Sequence, residues 1–146
     1  MCMKSKESCH SVGRVITPAK HNKSPELHEL KTAHILAEHY SCDVEFLIPI
    51  ADYLRKSADI LMQGLEWEIK CPTGDSKSTI RNQFRRASKQ SKNIIIDMQR
   101  TKLDYITVEK EVLFQMKERP YIKKVILIDK SKKSLSFNHK YVILRS

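Results

Sequence analysis

Apolar positions along the chain recur with two different periods. In SPELHELKTAHILAEHY, residues 24–40, Leu30, Ala33, Leu36, Ala37 and Tyr40 fall on one face of a helical wheel. Ser24 reads as the N-cap of that helix and Pro25 as its first residue. DVEFLIPI, 43–50, reads as a strand ended by Pro49. YLRKSADILM, 53–62, becomes a strand toward its end, and Gln63-Gly64 reads as a hairpin turn into a third strand, LEWEIKC, 65–71. The loop PTGDSK leads to a helix from Thr79 to about Ser91. NIIID, 93–97, and KKVILID, 123–129, are short apolar runs of the kind buried on both faces of a sheet, separated by a helix over 107–117. SLSF and YVILR near the end read as an edge hairpin. No internal repeat is present.

This order predicts an α/β domain with a central mixed sheet covered by helices on both faces. The chain has 146 residues, enough for one domain. Residues 24–146 carry the pattern. Residues 1–23 are polar, basic and aperiodic, and read as a flexible arm or linker. No apolar run approaches the ~20 residues of a membrane-spanning helix. The basic N-terminus lacks the apolar core of a secretory signal.

Charge adds a direction to the fold. The formal net charge is +10, which favours an anionic partner, most often nucleic acid. The four cysteines, Cys2, Cys9, Cys42 and Cys71, are scattered, and a reduced, cytoplasmic site of action is the simplest expectation.

The third strand holds the most specific chemistry. Alternation puts Leu65, Trp67 and Ile69 on one face and Glu66, Glu68 and Lys70 on the other. A two-residue turn at Gln63-Gly64 pairs Met62 with Leu65. The same register sets Asp59 opposite Glu68 and Ser57 opposite Lys70. Carboxylates so placed repel, and a divalent cation held between them would offset the repulsion. Lys70 would stand beside that ion, able to stabilise charge on a phosphate or position an attacking water. The bland alternative is an exposed face laced with Glu–Lys contacts.

Glu29 lies inside the apolar face of the first helix, where a carboxylate is costly unless paired or metal-bound. It is a candidate third ligand, or else a helix-edge residue in a salt bridge. In TIRNQFRRASKQSK, Ile80, Phe84, Ala87 and Ser91 form the packing stripe. Arg81, Arg85, Lys89 and Lys92 form a basic stripe suited to following a phosphate backbone. Gln90, with Gln83 as the second choice, sits at the edge where a polar side chain would reach the site.

Other chemistries find no support. Cys9-His10, His34, His39 and Cys42 lack zinc-finger or knuckle spacing. With only three glycines there is no P-loop and no GxGxxG. Ser-His-Asp catalysis has no local signature. Cys71 has no evident histidine partner for a nucleophilic role.

The succession of Glu29, Asp59, Glu68-Ile69-Lys70 and a helix carrying Gln90 resembles the PD-(D/E)XK nuclease superfamily. Within it, the pattern is most similar to the C-terminal toxin domains of CdiA-type contact-dependent growth inhibition proteins. The similar stretches are HELKTAHILAEHYSCDVEFL, SADILMQGLEWEIKCPT and TIRNQFRRASKQSKNIIID. Ala58 stands where the superfamily motif has proline.

The resemblance implies a three-layer, restriction-endonuclease-like α/β/α fold and a metal-dependent phosphodiesterase site. By position, Asp59 and Glu68 would bind metal with Glu29 as the helix-borne carboxylate. Lys70 would be the catalytic lysine and Gln90 the polar residue of the following helix. Carboxylate ligands suit magnesium or manganese, with zinc as the alternative. The resemblance also implies tRNA or DNA as substrate, delivery into a target cell as part of a larger protein, and silencing by an immunity protein, expected to be acidic. Two other readings stand beside it: a non-catalytic basic nucleic-acid-binding module, and an interaction protein whose basic face docks an acidic partner.

Overall fold

The computed structural model describes residues 13–18, 24–48 and 57–138. Among them are seven strands and three helices: β1 (Val15–Ile16), α1 (Leu27–Tyr40), β2 (Val44–Phe46), β3 (Ile60–Met62), β4 (Leu65–Lys70), α2 (Ser78–Ala87), β5 (Asn93–Asp97), α3 (Tyr105–Glu118), β6 (Lys124–Ile128) and β7 (Ser134–Asn138). The strands form one mixed sheet in chain order, β1 to β7. The pairs β1–β2, β4–β5 and β5–β6 are parallel, and β2–β3, β3–β4 and β6–β7 are antiparallel. The α/β class with a mixed sheet is thus as the sequence predicts.

Alternation within the strands divides the core. Ile94, Ile96, Val125 and Leu127 pack with Ile80 and Phe84 of α2 and Val108, Val112 and Met116 of α3. Trp67, Ile69, Ile95, Ile126 and Ile128 pack with Ala33, Leu36 and Ala37 of α1. The apolar runs of β5 and β6 are therefore buried from both sides. This is why they read as continuous rather than alternating.

Several boundaries differ from expectation, for local reasons. Helix α1 is capped at Glu26 rather than Ser24, because Glu29 Oε1 accepts the Glu26 N–H at 2.9 Å in a capping box. Helix α2 stops at Ala87, not Ser91. There the chain tightens: the N–H groups of Lys89 and Gln90 bond three residues back, to Arg86 O and Ala87 O. Helix α3 starts at Tyr105, two residues early, where Asp104 Oδ1 accepts the Thr107 N–H at 2.9 Å. Strand β2 is shorter than expected, while β3 occupies the end of the 53–62 stretch, as the sequence predicts. Pro49, residues 53–56 and the YVILR stretch lie outside the described residues.

Ordered structure also begins before Ser24, within the segment expected to be an arm. Strand β1 lies beside β2, and Arg14 holds Asp43 through its backbone N–H at 2.9 Å and its guanidinium at 3.0 Å. Gly13 approaches the Cys42 backbone so closely that a Cβ would sit 1.8 Å from its carbonyl oxygen. Only glycine fits there.

The hairpin turn behaves as expected. Gln63 and Gly64 both adopt positive φ, 55° and 76°, the combination of a two-residue turn that matches strand twist. The register is Met62–Leu65, Leu61–Glu66 and Ile60–Trp67.

Candidate metal centre and nucleic-acid interface

Continued by one residue, that register brings Asp59 to Glu68. Asp59 leaves the ladder at this point. Its N–H bonds the Trp67 carbonyl at 2.9 Å, and its Oδ2 accepts the Ile69 N–H at 2.8 Å. A side-chain carboxylate thus replaces a backbone carbonyl as the partner of a strand amide. The substitution fixes the rotamer of Asp59 next to Glu68.

Glu68 is 2% exposed. Its Oε2 faces Lys70 Nζ at 3.0 Å. Its Oε1 is buried without a hydrogen-bond partner among the described residues. Burial first, and the neighbouring Asp59 charge second, push its carboxyl up from 4.5 to about 8, against the pull of Lys70. Asp59 is raised as well, chiefly by burial. The Ile69 amide opposes that rise and the Glu29 charge adds to it. The opposed carboxylates and the lysine expected from the sequence therefore form one cluster, in which Glu68 is buried and Asp59 and Lys70 are half-buried.

The other expected residues stand as follows. Glu29 lies close enough to raise both Asp59 and Cys71 electrostatically. One of its oxygens caps its own helix. Among the described residues no three His, Cys, Asp or Glu side chains are arranged to hold a metal ion, so Glu29 is not drawn into such a set with Asp59 and Glu68. Gln90 sits past the end of α2, and its Nε2 donates to the Ser57 carbonyl at 3.4 Å. This ties the α2 terminus to the chain entering β3. Gln83 is half-buried on α2. Arg81, Arg85, Lys89 and Lys92 are all exposed. The first two belong to α2, while Lys89 and Lys92 follow its last residue, so the stripe is helical over its first half only.

Donor chemistry at the cluster suits a divalent cation. Two carboxylates offer hard oxygen ligands, and the unpartnered Glu68 Oε1 has lone pairs that nothing among the described residues satisfies.

Two polar residues at this end of the sheet were not expected from the sequence. Asp97 is 2% exposed at the end of β5, and Thr32 is fully buried on α1. Thr32 Oγ1 donates to Asp97 Oδ2, and Asp97 Oδ1 accepts the Gln99 N–H at 2.9 Å. A signal does exist in the chain: an aspartate closes an apolar strand, and a threonine shares the face of Ala33 and Leu36. Cys71, next to Lys70, lies 3.4 Å from the same Thr32 hydroxyl, and burial pushes its thiol up to about 11. A thiol held neutral in this way is a poor nucleophile.

The fold and cluster define an α/β domain whose central hairpin brings together two carboxyl groups, one of them buried, and a lysine. The same fold occurs in the CdiA-CT/CdiI toxin and immunity complex from Burkholderia pseudomallei. That match has a TM-score of 0.61 at 18% identity and covers 86% of this chain and 99% of the other. The profile of the contact-dependent growth inhibition CdiA C-terminal domain matches residues 56–134, more than half of the chain, which therefore belongs to that family. No curated protein matches the sequence. No helix among the described residues is long and apolar enough to cross a membrane.

Proposed function

We propose that the chain is a metal-dependent nuclease of the PD-(D/E)XK type, acting as the toxin module of a toxin–immunity system. The observation that carries this reading is the cluster of half-buried Asp59 and Lys70 around buried Glu68 on one hairpin. Helix packing on both faces of the sheet supports a three-layer, restriction-endonuclease-like arrangement.

Asp59 and Glu68 would hold the cation, with Glu29 supplying charge from the α1 terminus. Magnesium or manganese suits these oxygen donors better than zinc does. When bound, such an ion lowers the pKa of coordinated water and polarises a phosphoryl oxygen. Lys70 aims an ammonium along the edge of the cluster, where it would stabilise the oxygens of the phosphate as negative charge grows. The Ile69 amide keeps Asp59 in place. Gln90 secures the chain entering β3. The stripe of Arg81, Arg85, Lys89 and Lys92 would hold the nucleic-acid backbone.

In the related complex the toxin is paired with an immunity protein. An acidic immunity protein would fit the basic stripe of this chain and occlude its substrate path. As a family C-terminal domain, the chain would act in the cytoplasm of a target cell after delivery within a larger protein. The segment before Ser24 would then serve, outside β1, as the linker to the rest of that protein, with residues 24–146 as the nuclease domain.

The decisive experiment is cleavage of tRNA and plasmid DNA side by side, with magnesium, manganese, zinc or chelator, and with Asp59→Ala as control. Metal-dependent cutting lost in the variant is expected, and the substrate cut identifies the nucleic acid. Absence of cutting with either substrate, alongside salt-sensitive binding unaffected by Asp59→Ala, would overturn catalysis in favour of a non-catalytic binding module.

A further inference from the structure

A groove of about 830 Å³ opens at the carboxyl ends of the parallel strands, on the α1 side of the sheet. Cys71 beyond β4, Asp97 at the end of β5 and Lys132 in the β6–β7 turn line it from the sheet. Helix α1 from Leu27 to Glu38 forms the facing wall, with the exposed Glu38 carboxylate at its far end. Crevices outside strand carboxyl ends are where open α/β sheets take ligands. The volume falls within the ~300–1,000 Å³ usual for small-ligand sites.

Its lining is chemically mixed in a particular way. Lys31, Arg100 and Lys132 contribute exposed cations. Leu27, 68% exposed, and the half-buried Ile35 contribute an apolar lip. His28, His34 and Arg100 offer planar faces, and the exposed Gln99 carboxamide offers a group able to bond a base edge. Asp97 is held in position by Thr32 and the Gln99 amide.

We propose that this groove is a subsite for one unpaired nucleotide of the substrate strand. The identity of the strand rests on the nuclease reading. Lys31 and Lys132 hold its phosphates, and the base stacks on the guanidinium or imidazole planes against the apolar lip. Unpaired bases are recognised in this manner, by stacking on histidine or arginine planes and by bonds to their edges. A base within a duplex has its faces covered by neighbours and could not enter. The site therefore directs the protein to single strands, loops or ends.

The test is equilibrium binding of a fluorescent eight-nucleotide single strand and of its blunt duplex, by anisotropy in chelator. Because no cutting is needed, failure of the nuclease reading and failure of the subsite are distinguishable. The intact chain should bind the single strand more tightly. Arg100→Ala should weaken the single strand by about fivefold or more, the scale of removing one stacking partner, and the duplex by less than about twofold. Arg100→Lys keeps the charge but loses the plane. It should lose the preference for the single strand while leaving the salt dependence unchanged. Position 100 is exposed, so circular dichroism should show the fold retained. Equal weakening of both probes, or of neither, would overturn the subsite and leave a general attraction for polyanions.

Discussion

The ammonium of Lys70 stands 3.0 Å from Glu68 Oε2, two residues away on the same face of β4. The contact aims Lys70 at the carboxyl cluster rather than at open solvent. Lys70→Ala should lower cleavage by about 10²–10³, the usual effect of losing one group that stabilises transition-state charge. Nucleic-acid affinity and the circular dichroism spectrum should change little. Full activity in a folded Lys70→Ala protein would sink the mechanism.

Glu68 makes stability depend on pH in a fixed direction. Between its ordinary 4.5 and about 8 the folded chain holds a proton there that the unfolded chain has released. The native state binds more protons in that window, so stability falls as pH rises through it. Asp59 and Asp97, both raised by burial, act in the same sense at lower pH. The melting temperature should therefore drop from pH 5 to pH 8, and Glu68→Gln should flatten the upper part of the slope. Magnesium or manganese should recover the loss at pH 8 and do little at pH 5. Thermal melts at both pH values, with and without the ion, check all three points.

Much of this site is legible in the sequence because one turn fixes it. Gln63-Gly64 sets the hairpin register, and the register alone brings Asp59 to Glu68. Periodicity locates all the long elements, since β4, β5 and β6 and the three helices each bury a distinct pattern of side chains. What stays hidden depends on packing between segments distant in sequence. No local rule tells that Thr32 meets Asp97, 65 positions later. Nor does spacing reveal that Gly13 packs on Cys42 and starts β1 inside an aperiodic segment. The reach of Glu29 is legible only in part: periodicity gives its place on the apolar face, but not its use as a cap.

That double use makes Glu29 separable by substitution. Glutamine can still accept the Glu26 N–H in a capping box, so Glu29→Gln should melt within about 0.5 kcal/mol of the parent. Alanine removes the cap and should cost roughly 0.5–2 kcal/mol. Both changes remove the negative charge felt at Asp59. If that charge supports the ion, both should lower cleavage to the same degree despite their different stabilities. Activity that follows stability instead would assign Glu29 to the helix alone.

The exposed stripe of Arg81, Arg85, Lys89 and Lys92 should act through phosphates. Changing all four to alanine should weaken binding uniformly across sequences. It should reduce the slope of log affinity against log salt by up to about 3.6, at roughly 0.7–0.9 for each phosphate no longer neutralised. The melting temperature should hardly move, because none of the four is buried. A salt slope unchanged in the quadruple variant would place the nucleic acid elsewhere on the surface.

Thr32 and Asp97 give the last prediction. Thr32 Oγ1 donates its one proton to the Asp97 carboxyl, with His28 O of its own helix, 3.0 Å away, as the alternative acceptor. Thr32→Val keeps the shape and removes the hydroxyl, leaving a buried carboxyl short of a donor. The expected cost is about 1–3 kcal/mol. Burial already raises Asp97 and the Thr32 bond opposes that rise, so without the hydroxyl its carboxyl should rise further. The loss should therefore be larger at pH 8, where the carboxyl is charged, than under acid conditions that protonate it, because the neutral form is easier to bury. Asp97→Asn in the Thr32→Val background removes the charge and should make the remaining loss independent of pH. Melts of the two singles and the double under both conditions complete the cycle, and additive losses at pH 8 would show that the two side chains do not stabilise each other.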